Sequence, residues 1–293
     1  MSDVLVVGDV MTDIIVLPEG PTVRGSDRRA KVRSRPGGSG ANQAVWLGAM
    51  GVAVRFVARV ARADIAAREA YFAAHGVEAV LVGDDDEPSG MLVTIVDADG
   101  ERSFLTDRGA NLNLAESDLP GTLLDGVRLL MVSGYSFFAP GPRGAVMALM
   151  REAKARGIST AIDPASVGFL KEVGPEQFMK WTSGAATIFA NVDEALALTG
   201  SVDLDLQMRT LGRSYGRVII KRGEQGGAVG GRAGVALSLP APKANVVDTT
   251  GAGDAFAAGF IAAELRGDDL AACLGAAVAA GAEAVTRIGG QPA

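Results

Sequence analysis

Short apolar runs recur along the chain and are separated by longer segments of mixed polarity. The first run, Val4–Val7, is closed by Gly8, which is typical of a strand buried on both faces of a parallel sheet. Later runs of the same kind are 129–132, 159–162, 187–190 and 218–220. Segments of helical length lie between them, notably 143–156. This alternation predicts an α/β fold whose parallel sheet is covered by helices on both faces, with ligand sites at the C-terminal strand ends.

A different pattern occupies the segment 87–111. Two short apolar segments, 90–96 and 102–105, flank the four residues Asp97-Ala98-Asp99-Gly100, which indicates a β-hairpin. Further predicted elements are a strand at 54–57 and helices at 44–50 and 66–74. The chain has no internal repeat, low-complexity tract or clear linker, so its 293 residues are expected to form one domain, 1–293.

Composition and charge narrow the class of protein. With 28 basic and 34 acidic residues the net charge is −6, which argues against a nucleic acid partner. The single cysteine, Cys273, excludes a disulfide framework or a multi-cysteine zinc site and fits a reducing cytoplasm. The single histidine, His75, makes a Ser-His-Asp hydrolase a weak hypothesis. No signal peptide or stretch of about 20 apolar residues indicates a membrane.

Two familiar nucleotide motifs do not fit the glycines near the N-terminus. Val10, Met11 and Thr12 follow Gly8 where a dinucleotide fingerprint needs further glycines. The segment 20–26 spaces two glycines like a P-loop, but a serine stands where the lysine should be. A nucleotide site must therefore be sought elsewhere.

The stretch 248–260 places small residues and two aspartates before an alanine-rich apolar segment. Gly251 and Gly253 remove side-chain bulk, so a ligand could approach the backbone closely. A helix beginning at Asp254 would direct unpaired N–H groups and its positive dipole end at the loop, which suits a phosphate. The carboxylate of Asp254 is then interpreted as a general base, or alternatively as a simple N-cap.

A second glycine-rich stretch, 35–44, runs into the predicted helix at 44–50. Its glycines permit close backbone approach, and Asn42 offers both hydrogen-bond donor and acceptor atoms, which suits hydroxyl groups. The alternative is a helix entry with no ligand. Polar residues also follow predicted strands directly, at Asp163, Asn191, Glu194 and Arg222-Gly223.

Four stretches together resemble the PfkB/ribokinase family of carbohydrate and nucleoside kinases. The two signatures are Gly37-Gly38-Ser39-Gly40-Ala41-Asn42-Gln43-Ala44 and Asp248-Thr249-Thr250-Gly251-Ala252-Gly253-Asp254-Ala255-Phe256. Asn191-Val192-Asp193-Glu194 is similar to the family's N-x-x-E motif, and 285–292 is similar to the ribokinase C-terminal stretch. The resemblance covers the whole chain. It implies a ribokinase-like three-layer sandwich with a mostly parallel central sheet and a small β-strand lid.

The resemblance assigns the reaction to the second signature. It implies that Asp254 deprotonates a substrate hydroxyl for in-line attack on the γ-phosphate of ATP. Backbone N–H groups of Gly251, Ala252 and Gly253 would form the anion hole for the transferring phosphoryl group. The substrate hydroxyls would be held by Asp13, Gly38, Ser39, Asn42 and Asp254.

The resemblance also implies the nucleotide and metal sites. Asn191 and Glu194 would organise Mg²⁺ through water, although a first-turn helix carboxylate is the alternative for Glu194. The nucleotide-binding residues would be Asn191, Lys221, Gly223, Gly226, Thr250 and Gly253, within walls formed by 221–227 and 282–290. A monovalent cation, K⁺, is expected beside Asp248 because the ribokinase branch uses one.

The lid implied by the resemblance comprises about 12–34 with 87–111. Lid closure would exclude water and limit ATP hydrolysis. The arginine-rich lid is expected to contact either a negatively charged substrate or a second subunit in a homodimer, because the lids of some relatives pair.

Three departures from the ribokinase pattern bear on the substrate. Met11 replaces an asparagine that holds the sugar, Gly134 lies about where a glutamate binds the substrate, and 163–166 lacks the arginine of fructokinases and 2-keto-3-deoxygluconate kinases. The leading prediction is an ATP- and Mg²⁺-dependent kinase acting on a hydroxyl of a small sugar. A nucleoside kinase of the same fold, or a non-catalytic binding relative, is the alternative.

Overall fold

The fold is built from two β-sheets, and the structure, a computed structural model, describes residues 2–21, 24–96 and 102–292. In chain order the strands are β1 (Val4–Val7), β2 (Met11–Pro18), β3 (Ala30–Gly37), β4 (Val54–Ala61), β5 (Val77–Asp84), β6 (Gly90–Val96), β7 (Arg102–Asp107), β8 (Leu129–Ser133), β9 (Ser159–Asp163), β10 (Thr187–Asn191), β11 (Arg217–Lys221), β12 (Gly227–Gly231) and β13 (Gly234–Leu239). The helices are α1 (Ser39–Ala49), α2 (Ile65–Ala74), α3 (Pro140–Ala155), α4 (Val167–Val173), α5 (Pro175–Trp181), α6 (Val192–Thr199), α7 (Leu204–Leu211), α8 (Ala252–Arg266) and α9 (Leu270–Ala284).

The larger sheet has the strand order β13-β12-β11-β10-β9-β8-β1-β4-β5. The pairings from β5 across to β11 are parallel, and the last two strands, β12 and β13, are antiparallel. This confirms the predicted, mostly parallel central sheet. Parallel strands bring their C-terminal ends to one edge, and there the chain places most of its polar strand-end residues.

Alternate residues of the central strands supply two separate hydrophobic cores. On β1, Val4 and Val6 pack with α1, α2, α8 and α9, whereas Leu5 and Val7 pack with α3 to α7. All four side chains are fully buried, and each such burial contributes roughly 1.5–3 kcal/mol to folding. The result is the predicted three-layer arrangement of helices, sheet and helices.

The smaller sheet contains four strands in the order β3-β2-β6-β7. The pairing of β6 with β7 is antiparallel and confirms the predicted hairpin strands, although the turn at 97–101 lies outside the described residues, as do 22–23 of the predicted lid. Met11 and Asp13 of β2 face a cavity beside the large sheet, so by strand alternation Thr12 and Ile14 face the opposite side. We refer to these as the inner and outer faces of the small sheet.

Two helices begin earlier than the sequence predicts. Helix α8 begins at Ala252 instead of Asp254, after Gly251 in the left-handed region with φ of 73°. Helix α1 begins at Ser39 instead of Ala44, and its close contact with the end of β1 explains the glycine at position 40. A Cβ atom there would lie 2.7 Å from the Cα atom of Gly8.

Among the residues that the structure describes, every helix is too short or too polar to cross a membrane.

Candidate active site

A cavity of about 340 Å³ lies between the C-terminal edge of the large sheet and the inner face of the small sheet. It brings together most of the predicted site residues, namely Asp13, Gly38, Ser39, Asn42, Asn191, Glu194, Lys221, Thr250, Gly251, Gly253 and Asp254. The other predicted residues, Gly223, Gly226, Asp248 and Ala252, are not part of the cavity lining.

Asp254 lies in the first turn of α8, and its carboxylate is held by side chains of α1. Ser39 Oγ donates to Oδ1 at 2.8 Å, and Asn42 Nδ2 donates to Oδ2 at 3.0 Å. Gln43 Nε2 also donates to Oδ1, at 3.1 Å. The N-cap residue of α8 is Gly251, and no side chain caps the helix. The alternative that Asp254 is only an N-cap is therefore wrong.

The environment of Asp254 favours the protonated form. Burial and the negative charge of Asp163 raise the pKa of Asp254 to about 7, against the opposing effects of the hydrogen bonds from Asn42 and Ser39 and of the charge of Lys221. A carboxyl group with a pKa near neutrality can both accept and release a proton at physiological pH.

The glycine loop before α8 is packed against the C-terminal segment of the chain. A Cβ atom on Gly251 would collide with the backbone of Gly290. The backbone N–H groups of Gly253 and Asp254 have no acceptor within the described part of the chain. Unpaired N–H groups and the positive end of a helix dipole are chemically suited to an anion, here next to the Asp254 carboxylate.

Lys221 adds a positive charge beside this loop. Its Nζ atom donates to Asp163 Oδ2 at 2.7 Å and lies 3.1 Å from the position of a Cβ atom on Gly253. Although burial disfavours the ammonium group, the carboxylates of Asp163, Glu194 and Asp254 raise the pKa of Lys221. The two partners are the last residues of β11 and β9, so sheet topology alone brings them together.

Asn191 and Glu194 form a reciprocal cap at the start of α6. Asn191 N donates to Glu194 Oε2, and Glu194 N donates to Asn191 Oδ1, both at 2.8 Å. The structure thus supports the first-turn helix role for Glu194, whose side chain also lines the cavity. Burial and the nearby charge of Asp163 raise the pKa of Glu194 to about 7, while the charge of Lys221 opposes this shift.

Asn191 and Glu194 offer too few oxygen atoms to hold Mg²⁺ by themselves, so further ligands would be needed. No cluster of three or more acidic, histidine or cysteine side chains suited to a metal ion occurs among the residues described. Mg²⁺ commonly retains waters and binds substrate phosphates with one or two protein carboxylates. The chemistry of Asn191 and Glu194 agrees with that mode of binding.

Asp13 presents a carboxylate from the inner face of the small sheet. Its Oδ1 atom is buried without a hydrogen-bond partner in the described part of the protein. Burial and the charge of Asp248 raise the pKa of Asp13 to about 6. Asp248 is itself bound by Thr250 N, Thr250 Oγ1 and Gly289 N at 2.8–3.0 Å.

Sequence reasoning missed a buried ion pair in the cavity wall. Arg108 donates from Nε and Nη2 to the two carboxylate oxygens of Asp9 at 2.8 and 2.9 Å, and its guanidinium lies 5.8 Å from the ring centroid of Tyr135. Asp9 could have been found by its position after β1. Arg108 could not, because its partner is 99 residues away.

The cavity wall also contains an unusual backbone conformation. Ala165 has φ of 70°, which is the only positive value for a non-glycine residue in the part of the chain described. Strained residues of this kind cluster at functional sites.

Residues 1–293 match the model for the pfkB family of carbohydrate kinases. Bifunctional protein HldE of Pseudomonas syringae pv. tomato is 30% identical over 92% of this chain, which spans only 57% of that relative. An ATP-dependent ribose-1-phosphate kinase of Halopiger xanaduensis is 29% identical over 100% of this chain and 95% of its own.

The fold has an equally extensive match among solved structures. The crystal structure of adenosine kinase from Sinorhizobium meliloti has a TM-score of 0.89 and 25% identity, covering 99% of this chain and 96% of its own. The family match of the sequence and the fold match point to the same group of proteins. The chain belongs to the pfkB family of carbohydrate kinases.

Proposed function

We propose that this chain transfers the γ-phosphoryl group of ATP to a hydroxyl of a small sugar. One observation carries the proposal: a carboxylate with a raised pKa, Asp254, lies beside the unpaired N–H groups of the glycine loop. A proton acceptor and an anion site are thus adjacent, as hydroxyl phosphorylation requires. The intact arrangement disfavours a non-catalytic binding role.

In this mechanism Asp254 accepts the proton of the attacking hydroxyl. Ser39, Asn42 and Gln43 orient its carboxylate, so that little reorganisation is needed as the proton moves. Backbone N–H groups of the loop would stabilise the negative charge on the transferring phosphoryl group. Lys221, with one donor engaged by Asp163, has further N–H donors for the same charge.

The nucleotide site is proposed at the loop and the adjoining strand ends. Gly223, Gly226 and Thr250 stay predictions for nucleotide binding. Asn191 and Glu194 would hold Mg²⁺ through water, and the ion would supply charge neutralisation for the phosphates. A K⁺ ion beside Asp248 also stays a prediction.

The acceptor end of the cavity supports a polyhydroxylated substrate. Asp13 has a carboxylate oxygen without a partner among the described residues, and Asn42 has a similarly unpaired amide oxygen. Both would accept hydrogen bonds from hydroxyl groups. A sugar meets this requirement with the fewest further assumptions.

A nucleoside is the second candidate substrate. Met11, Leu92 and Tyr135 give the cavity an apolar side that could contact a base.

We also propose that the small sheet acts as a lid over the acceptor, and that two copies of the chain pair through its outer face.

The decisive experiment measures ADP formation from Mg-ATP with a panel of sugars and nucleosides. Turnover with one class would identify the acceptor. Asp254→Asn should keep nucleotide binding but reduce kcat by at least about 10² fold, because the general base is lost. Asn42 can rotate its amide to accept from the new side chain, so the variant should fold.

Asp86→Asn is the matched control for Asp254→Asn. Asp86 is exposed and does not line the cavity, so its substitution should leave turnover unchanged. An unaltered rate in Asp254→Asn would remove that residue from the mechanism.

A further inference from the structure

A second cavity, of about 330 Å³, lies between the outer face of the small sheet and α2. It is not part of the candidate active site described above. Its lining comes from β2, β3, α1, α2 and the C-terminal segment. Its polar lining residues include Arg35, Asp64, Arg68, Tyr71 and Gln291.

Among the described residues, two polar side chains of this cavity are only partly partnered: Arg68 has no ion-pair partner and Gln291 has an unpaired amide nitrogen. Arg68 Nη2 donates to Thr12 Oγ1 at 3.0 Å, but the half-buried guanidinium forms no ion pair with any described residue. Burial accordingly lowers the pKa of Arg68, against the opposing charge of Asp64. Gln291 accepts a hydrogen bond from the Tyr71 hydroxyl, yet its Nε2 atom is buried without a partner in the described structure.

The remaining walls and the local charge indicate which class of ligand this cavity fits. Val10, Ala41 and Phe72 are apolar and buried, so the cavity can accommodate a hydrocarbon body as well as a polar head. Among the lining residues two arginines face one aspartate, so the local charge of about +1 balances a monoanion better than a phosphate dianion. A guanidinium binds a carboxylate with matched planar geometry.

The wall that separates this cavity from the candidate active site is thin. On β2, Thr12 lines the second cavity and Asp13 lines the first. On α1 the corresponding neighbours are Ala41 and Asn42.

The C-terminal segment provides a third connection. Gln291 lines the second cavity, and a Cβ atom on its neighbour Gly290 would collide with the Asn42 side chain at 2.5 Å. Gly290 also packs directly on Gly251 of the glycine loop. A ligand that shifts Gln291 would therefore displace residues that position Asp254 and the proposed nucleotide site.

We propose that the second cavity binds a small organic monocarboxylate and that its occupancy changes nucleotide affinity at the glycine loop. Binding at the cavity does not depend on the proposed kinase reaction. Only the coupling rests on the proposed nucleotide site, and ATP binding tests it without turnover.

Calorimetric titration with benzoate tests the binding. Wild type should bind saturably, and Arg68→Gln should bind at least about tenfold more weakly because a charged hydrogen-bond donor is lost. Ala67→Phe keeps Arg68 but fills the cavity, so it should also abolish binding. Arg151→Gln, an exposed helical arginine on α3, should bind as wild type does. Inorganic phosphate should bind more weakly than benzoate.

Crystals soaked with 4-bromobenzoate locate the ligand by anomalous scattering from bromine. The carboxylate is expected within hydrogen-bond distance of Arg68 and Gln291. Density only at the glycine loop, or equal benzoate affinity in wild type and both cavity variants, would overturn the site.

The coupling is measured as the ATP dissociation constant with and without saturating benzoate. We expect a change of about fivefold or more in wild type and none in Arg68→Gln, the usual scale for coupled sites. An identical ATP affinity under both conditions in wild type would overturn the coupling. Failure of all acceptors to turn over, with ATP binding intact, would instead count against the proposed function alone.

Discussion

Asp254 is the residue that would accept the proton of the attacking hydroxyl, beside the site of phosphoryl transfer. Its carboxylate receives three side-chain hydrogen bonds from α1, which favour the charged form, while burial and Asp163 favour the neutral form. Burial is the larger effect, so the pKa rises to about 7. A base of this strength holds protons well enough to accept one and is still partly ionised at neutral pH.

The raised pKa predicts the pH dependence of catalysis. Below a pH of about 7 Asp254 is increasingly protonated and cannot accept the hydroxyl proton, so kcat/KM should fall about tenfold per pH unit. Above that pH the carboxylate is ionised and the rate should level off. Steady-state kinetics from pH 5 to 8.5 would measure the profile.

Glu194 and Asp13 also have raised pKa values, so variants must show which carboxyl group produces the acidic limb of the profile. Glu194→Gln should retain the acidic limb of the profile, whereas the residual activity of Asp254→Asn should lose it. A flat wild-type profile across this range would contradict the role of Asp254.

Single residues were predictable from sequence where a local pattern marked them. The glycines around Asp254 and the strand-end position of Asn191 are such patterns, and the structure places both residues in the cavity. The Asp9–Arg108 pair was not predictable, because nothing near Arg108 in the chain indicates its partner. Roles such as proton transfer or Mg²⁺ binding stay predictions until they are measured.

At the scale of elements, close backbone packing sets the position of the glycine loop. Gly251 is left-handed, with φ of 73°, and also packs against the backbone of Gly290. Gly251→Ala should therefore combine backbone strain with displacement of Gly290. We expect a loss of ATP affinity and a stability loss well beyond the roughly 1–2 kcal/mol of a left-handed alanine.

Gly267 offers a matched control at the other end of α8. It has φ of 85°, but a Cβ atom there would meet nothing within 4 Å. Gly267→Ala should show the backbone cost alone and leave ATP affinity unchanged. Urea denaturation and nucleotide titration of both variants would compare them, and equal effects would refute the packing explanation.

The two sheets are tied together by the buried Asp9–Arg108 pair. Asp9 follows β1 of the large sheet, Arg108 follows β7 of the small sheet, and their side chains are only 7% and 8% exposed. Arg108→Met should lower the free energy of unfolding by about 3–5 kcal/mol, because it leaves a buried carboxylate without a partner. Urea denaturation measures this loss.

Arg62→Met provides the control for Arg108→Met. Arg62 pairs with Asp85 at the surface, where water already solvates both groups, so its loss should change stability little. The double variant Asp9→Asn with Arg108→Met should recover part of the stability. If Arg108→Met and Arg62→Met were equally stable, the ion pair would not hold the sheets together.

Elements were more predictable than their pairings. Apolar periodicity identified β1, β8, β10 and β11 because both faces of these strands are buried. The polar segment that forms β3 was not predicted as a strand, since seven of its eight residues are exposed. The parallel pairing of β2 with β6 depends on residues far apart in sequence, and local patterns contain no information about it.

For the whole molecule, the small sheet has two faces with different surroundings. Its inner face lines the candidate active site, whereas its outer face has apolar side chains in register across the sheet. Ile14 pairs with Val93, which pairs with Leu105, and Val16 pairs with Val32. Val32 and Leu105 are 61% and 62% exposed. Such a contiguous apolar surface favours contact with a partner.

We therefore expect two copies of the chain to pair through this outer face. Leu105→Glu should convert the dimer to a monomer, because pairing would bury two unpaired carboxylates in an apolar interface. Val202→Glu is the control, since Val202 is 84% exposed on another part of the surface. Sedimentation velocity should show a dimer for wild type and Val202→Glu and a monomer for Leu105→Glu. A wild-type monomer at tens of micromolar would refute the pairing, and a dimeric Leu105→Glu would place the interface elsewhere.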